Sequence, residues 1–562
     1  MTIADRITRV FLYLFLFVVP VAVPFKANSA QASVVSAHPL ATDAGIEILN
    51  KGGNAFDAAI AVTATLAVVE PYGSGIGGGG FWLLHLSEED RDVMIDGRER
   101  APLQASRDMY LDDHGNVIPE ASINGPLAAG IPGTPAAIEH LARNYGKLPL
   151  AVTLAAAIRH ASNGFRTGEH YQRMAAFREK ALNASADAAQ IFLRNNKAPP
   201  PETLIVQPEL AETLKVIAQE GAQGFYQGEL ASKIVASVVK HGGIWTMKDL
   251  ASYKIVERTP ITGQYRDMKI VSAAPPSSGG VAIIEMFNML ENFDFHSRPE
   301  AERVHLLAEI MRRAYRDRAE FLGDSDYIDV PVDQLVSKTY AARLAGSIAM
   351  DEATANDELK PVMVDGPKGI DTTHFSIIDK QGNRVSATMS INYPFGSCFV
   401  AEGTGVLLND EMDDFSSKPG EPNVYGLIGA EANAIEPGKR MLSSMTPTFL
   451  ETADRLAVLG TPGGSRIITM VFLGALEFYA GANAEGIVNR GRFHHQYLPD
   501  KIFYEPDVLS AAVLAALFEL GHETSKTEYT YGNMQAIVLD KKTQQLDAAS
   551  DYRGLGKAQI VH

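Results

Sequence analysis

Apolar positions recur mainly at helical spacing up to about residue 350 and alternate from residue 372 onward. Residues 44–50 read as a short helix that Thr42 caps and Gly52-Gly53 stops. Asn54 then caps a second, strongly apolar helix over 55–69. Further helices are predicted over 135–144, 154–163 and 300–322. The first of these has Thr134 as a cap and Pro135 at its first helical position. Residues 81–86 interrupt the helical region as a strand, and 198–201 and 274–280 read as loops.

Residues 373–379 alternate and are rich in β formers. Lys380-Gln381-Gly382-Asn383 reads as a tight turn, and 384–391 alternate again, which predicts a hairpin. A long Pro/Gly-rich stretch, 416–440, contains Tyr425. A structureless loop of that length is usually a functional lid or disordered. Strands are predicted over 447–450 and 456–459, and a helix over 466–480. Alternating blocks of helix and strand point to a layered α/β or α+β fold and away from a parallel doubly wound sheet.

With 562 residues the chain is too long for one simple domain. A formal net charge of −17 argues against nucleic acid or an anionic membrane as partner. The lone Cys398 excludes an intramolecular disulfide and any CxxC metal site. At the N-terminus Arg6 and Arg9 precede an apolar run over 10–23, followed by Pro24, a polar patch and Ala30-Gln31-Ala32. This is the layout of a secretory signal over 1–32, with a periplasmic or secreted destination. The run falls short of the ~20 residues a span needs and Pro20 interrupts it, so no stable anchor is expected.

Several clusters invite chemistry. Gly73-Ser74-Gly75-Ile76-Gly77-Gly78 matches GxGxxG but follows a helix and precedes a strand, the reverse of the dinucleotide-binding order, so a glycine-packed turn is expected. In Gly460-Thr461-Pro462-Gly463-Gly464-Ser465-Arg466 a strand does precede and a helix does follow. Backbone N–H groups there could hold an anion or a developing oxyanion, or simply form a tight turn. His494-His495 point apart on any regular element, which favours packing over metal binding. Asp413-Asp414 fit either an acid/base pair or a solvated turn. Thr372-Thr373 could open a strand. Alternatively, cleavage before Thr372 would give its hydroxyl an α-amine as base.

These segments together resemble the γ-glutamyltranspeptidase family. The likeness is carried by Asp371 to Ser376, Leu407 to Phe415, Ser443-Ser444 and Gly463-Gly464. It extends to His38 to Thr42, Gly52 to Ala55, Gly73 to Gly80 and Asp96 to Glu99, across essentially the whole mature chain. The resemblance implies an N-terminal-nucleophile (Ntn) hydrolase fold, a four-layer α/β/β/α sandwich. It implies self-cleavage at Asp371-Thr372 into a large subunit, 33–371, and a small catalytic subunit, 372–562, which stay associated. It implies γ-glutamyl transfer and hydrolysis on glutathione and related compounds, with water, amino acids or peptides as acceptors and no metal or organic cofactor.

By the same likeness Thr372 is the nucleophile. Gly463 and Gly464 are oxyanion donors, and Ser390 stands near the nucleophile where the family commonly has Thr. Arg98, Ser443 and Ser444 would bind the substrate α-carboxylate; Asn392, Glu411 and Asp414 would bind its ammonium; Tyr425 would belong to a lid. The stretch 389–395 departs from the family pattern and leaves acceptor preference open. A glutaryl acylase of the same superfamily and a non-maturing amino-acid- or peptide-binding homologue are the rival readings.

Overall fold

The computed structural model describes residues 31–354 and 372–562. The expected signal up to residue 30, and Asp371, lie outside the described residues.

Two antiparallel sheets form the centre. The first has seven strands, in the order Lys557–Val561, Ala32–Ser36, Thr373–Ile378, Arg384–Ser390, Gly79–Leu86, Arg91–Gly97 and Val256–Arg258. The second has six, in the order Gln545–Ser550, Gln535–Asp540, Arg455–Gly460, Thr448–Glu451, Met268–Ser272 and Ile261–Tyr265.

The strand period of two makes the layers. Val34, Trp82, Leu84, Phe375 and Ile377 point into one core, shared with the helices Pro39–Asn50 and Ala55–Val69. Their neighbours Val35, Phe81, Leu83 and Ile378 point the other way. They join Ile270, Leu450, Val458 and Ile537 of the second sheet and the helices Gly279–Leu290, Glu300–Phe321 and Ile467–Tyr479 beyond it. The result is α/β/β/α. Both faces of the first sheet are covered, so Gly79–Leu86 and Thr373–Ile378 are buried at every residue. Between the sheets the contact is partly polar: Ser376 Oγ donates to Gln535 O at 3.1 Å and Ser386 Oγ to Leu459 O at 3.0 Å.

The predicted hairpin is present as Thr373–Ile378 and Arg384–Ser390, with Thr373 opposite Met389. Asn54 caps Ala55–Val69 through a full capping box with Asp57. Two other expected caps differ. Thr42 lies inside a helix that starts at Pro39, capped by His38 Nδ1, because Pro39 fixes the first turn three residues earlier. Thr134 is the first residue of its helix, with Gly133 before it and no side-chain cap. Six strands were not predicted between 91 and 272: the short pair Phe165–Arg166 and Leu204–Ile205, and Arg91–Gly97, Val256–Arg258, Ile261–Tyr265 and Met268–Ser272 of the two large sheets. Charged residues break the apolar alternation in several of them, and the two large sheets are assembled from distant segments. The stretch 416–440 is ordered as turns, with Tyr425 only 6% exposed.

The Gly73–Gly78 run is a packed turn, as expected. A Cβ on Gly77 would fall 2.1 Å from Leu407 O, and one on Gly78 2.2 Å from Ser390 O. No helix among the described residues is long and apolar enough to cross a membrane.

Candidate active site

Thr372 sits just before the hairpin strand Thr373–Ile378 and is 8% exposed. Its Oγ1 lies 3.4 Å from Ser390 Oγ, at the far end of the partner strand. Ser390 Oγ accepts from Asn392 N at 2.8 Å. There the chain leaves the strand: Asn392 has φ 72°, a left-handed conformation that Asn tolerates well. Thr373 makes a different contact, donating through Oγ1 to Glu70 Oε2 at 2.7 Å. The other Glu70 oxygen accepts from the Tyr72 hydroxyl at 3.2 Å. Burial pushes the Glu70 carboxyl up to about 7 against both hydrogen bonds.

Arg98 follows the strand Arg91–Gly97 and is almost fully buried. Its Nη1 donates to Glu411 Oε2 and its Nη2 to Asp414 Oδ2, each at 2.5 Å. Nε donates to Met441 O and Nη2 also to Leu442 O. The residues expected to receive opposite ends of a zwitterion thus meet each other, since isolated burial of either sign would be costly. Burial works against the Arg98 cation, but the Glu411 and Asp414 carboxylates outweigh it and hold its pKa above the ordinary value. Burial raises Glu411 to about 7 despite the pull of Arg98. Glu99 lies 3.7 Å from Arg98 Nη1, and neither of its oxygens has a hydrogen-bond partner. Burial, then the Glu411 charge, pushes it well above the carboxylate range.

Asp413 and Asp414 part company within the turn Glu411–Asp414. Asp413 accepts from Ser122 Oγ and Val424 N, while Asp414 turns to Arg98 and Asn423 Nδ2. Asn392 Nδ2 donates to Asp410 O, and the Tyr425 hydroxyl donates to Asn392 O at 2.8 Å. Gly463 and Gly464 stand between the strand Arg455–Gly460 and the helix Ile467–Tyr479, with φ 141° and 54°. Glycine is required at 464, where a Cβ would fall 2.7 Å from the Tyr425 ring.

Ser443 Oγ accepts from Met445 N, and Ser444 Oγ accepts from Arg318 Nη2 at 3.2 Å. Arg318 escaped the sequence reading. It is 5% exposed, and its Nε donates to Ser278 Oγ at 3.0 Å. Among the described residues no carboxylate lies within ion-pair distance of it. Burial holds its pKa below the ordinary value. The one available signal was its position, four residues after Ala314 on the buried face of Glu300–Phe321.

All the predicted site residues except Gly463 line one small, nearly filled cavity of about 20 Å³. Gly463 lies one residue behind the wall. A hydroxyl nucleophile, a guanidinium, two ionisable carboxylates, two serines and a glycine turn therefore face a common space. That set suits acyl transfer on a small zwitterionic group.

His494 bonds Thr469 and Gln496, whereas His495 bonds Asp500, so the adjacent histidines do separate work as expected. His305, Glu309 and His522 bring donor atoms within 4.8 Å of one another. Those atoms are engaged: His305 Nδ1 with His522 Nε2, and Glu309 with Arg313 and Thr354.

The family model described as Gamma-glutamyltranspeptidase matches residues 41–561. The glutathione hydrolase proenzyme of Pseudomonas sp. (strain A14) is 44% identical, over 88% of this chain and 87% of its own length. That of Escherichia coli (strain K12) is 40% identical, over 95% and 92%. The crystal structure of a cephalosporin acylase from Bacillus halodurans superposes with a TM-score of 0.83 at 27% identity, covering 97% of this chain and 99% of that one. The sandwich is thus of the Ntn-hydrolase kind, and the chain is an enzyme that belongs to the γ-glutamyltranspeptidase family.

Proposed function

We propose that this chain is an exported proenzyme that cuts itself before Thr372 and then transfers or hydrolyses γ-glutamyl groups, glutathione among its donors. The observation that carries the reading is the shared cavity of Thr372, Arg98, Glu411 and Asp414. In the precursor the Thr372 hydroxyl attacks the Asp371 carbonyl and the C–N bond breaks, which frees the α-amine; water then hydrolyses the resulting ester and releases the Asp371 carboxylate and the Thr372 hydroxyl. That amine has a reference pKa of about 7.7–8.0 and is partly neutral at working pH, so it takes the hydroxyl proton. Thr372 Oγ1 then attacks the γ-carbonyl of a glutamyl donor. The N–H groups of Gly463 and Gly464 receive the oxyanion, the amine product leaves, and a γ-glutamyl ester of Thr372 remains. Water, an amino acid or a peptide accepts the group. Ser390 stays beside the hydroxyl throughout.

The charge balance favours the glutamyl group over a glutaryl one. Two cations, Arg98 and Arg318, stand beside two carboxyl groups, Glu411 and Asp414, in the one cavity. A zwitterion enters by exchange: its carboxylate takes Arg98 with Ser443 and Ser444, and its ammonium takes Glu411, Asp414 and Asn392. A glutaryl group brings a negative charge and no ammonium, which leaves buried carboxylates uncompensated. Tyr425, bonded to Asn392 O, covers the cavity and limits water. The periplasm or the secreted fraction is the proposed location, and a heterodimer of 33–371 with 372–562 the mature form.

Denaturing electrophoresis and a γ-glutamyl-p-nitroanilide assay test this together. Two bands are expected, the smaller beginning at Thr372, with p-nitroaniline release that a dipeptide accelerates. A single band with full activity, or cleavage that persists in Thr372→Ala, would overturn it.

A further inference from the structure

Beside the Thr372 cavity lies a second, larger space, an open groove of about 810 Å³. The two are separated by a single thickness of chain in two places. Asn392 faces the cavity and the next residue, Tyr393, faces the groove. Tyr425 faces the cavity and the preceding residue, Val424, faces the groove. The Tyr425 hydroxyl bond to Asn392 O bridges the seam, so a molecule that reaches from the groove to Thr372 has to part that bond, and the Tyr393 and Tyr425 rings meet edge to face at 6.2 Å.

The groove wall holds a buried cation whose partners are all neutral. Arg178 is 5% exposed. Its Nε donates to Cys398 Sγ at 3.2 Å, and its Nη2 donates to Asn124 Oδ1 at 2.8 Å and Gly396 O at 2.9 Å. Its guanidinium carbon stands 4.9 Å from the centre of the Tyr393 ring, and Phe177 packs against the same ring at 5.5 Å. Among the described residues no carboxylate lies within ion-pair distance of Arg178. Of the acids lining the groove, Glu402 pairs with Lys240 and Glu120 accepts from Asn124, Asp187 lies on the same wall, and buried Asp410 acts on Arg178 from beyond ion-pair distance. A desolvated guanidinium over an aromatic ring, with no carboxylate among the described residues in direct contact, is a receptor for a planar carboxylate.

We propose that this groove takes the non-glutamyl half of the reaction, the leaving peptide and the incoming amino acid or dipeptide, with Arg178 binding its α-carboxylate and the Tyr393 ring packing against its side chain. The inference rests on the γ-glutamyl transfer reading above. Both molecules carry a free carboxylate at one end and, at the other, the amine nitrogen that leaves or attacks. In the second half-reaction the acceptor nitrogen attacks the carbonyl of the Thr372 ester. The new C–N bond forms, the C–Oγ1 bond breaks, and the proton lost by the amine passes through the Thr372 α-amine to Oγ1.

The test uses the mature enzyme with γ-glutamyl-p-nitroanilide as donor and compares glycylglycine with glycylglycine amide, which lacks the carboxylate. In the wild type, kcat/KM for glycylglycine should exceed that for the amide by about tenfold, the scale of one charge-assisted contact. In Arg178→Gln this ratio should fall towards one, with Arg178→Lys between. Tyr393→Thr should raise KM for apolar dipeptides more than for glycylglycine. Each readout is a ratio within one preparation, so partial loss of folded enzyme cancels. Equal use of acid and amide by the wild type overturns the proposal whether or not any variant folds, as does an unchanged ratio in Arg178→Gln. Absence of donor turnover in water alone would instead sink the γ-glutamyl reading itself.

Discussion

Ser444 Oγ can only accept from Arg318, because a guanidinium has no lone pair to offer in return. The serine proton is therefore free to point away from Arg318, into the cavity that Ser444 lines. A residue on the second helical layer thus sets the direction of a hydroxyl in the site. Arg318→Met should raise KM for γ-glutamyl-p-nitroanilide by about tenfold or more, with a smaller fall in kcat, and Arg318→Lys should recover part of it. Steady-state kinetics separates the two. An equal fall in kcat at constant KM would show that Arg318 is not acting on substrate binding.

Ser390 holds two positions at once, 3.4 Å from the nucleophile oxygen and 2.8 Å from the Asn392 amide nitrogen. Ser390→Ala should slow both self-cleavage and turnover by at least about tenfold, while Ser390→Thr keeps the hydroxyl and both functions. A time course of band conversion after purification, alongside kcat of the cut fraction, checks this.

Asp414 meets Arg98 in this structure and would exchange it for the substrate ammonium. Asp414→Asn should weaken turnover of glutamyl substrates and relatively spare glutaryl ones, which have no ammonium to lose. Parallel assays on γ-glutamyl- and glutaryl-p-nitroanilide decide it; equal loss on both counts against the assignment.

Glu70 gives stability a pH dependence of known sign. Its carboxyl titrates at about 7 in the fold against 4.5 as the ordinary value. Below pH 4.5 both folded and unfolded chains hold the proton and nothing is lost. Between 4.5 and 7 the unfolded chain ionises first, so stability falls as pH rises, by up to about 3 kcal/mol on the order-of-magnitude scale of such a shift. Glu70→Gln removes that dependence. Urea unfolding at pH 4 and pH 8 should place the variant more favourably against wild type at pH 8. A wild-type-to-variant difference that does not change with pH would refute the assignment.

What was readable from the chain was local or carried by several segments at once. The hairpin before and after Gly382 announced itself by alternation around a turn, and the Asn54 cap by its box with Asp57. Arg98, Glu411 and Asp414 were found through the resemblance; alone, each reads as a surface charge. Their direct pairing was not foreseen, because it depends on residues over 300 positions apart meeting in a dry site. Arg318 and Arg178 were invisible for the same reason. Each is one charged residue in a helical region, and only the fold reveals that no carboxylate among the described residues lies within ion-pair distance of it. The strand Ala32–Ser36 was missed because it begins where the signal reading ended.

That strand lies between Lys557–Val561 and Thr373–Ile378, pairing with the last strand of the chain on one side and the nucleophile strand on the other. The sheet that seats Thr372 therefore cannot close until the final residues have been made and have travelled back to the first. Pairings of such long sequence separation form late. An unfinished or misfolded chain would present Thr372 on an incomplete sheet, without the geometry to attack its own backbone. Self-cleavage would then serve as a timer as well as an activator, striking only once the two ends of the polypeptide have found each other.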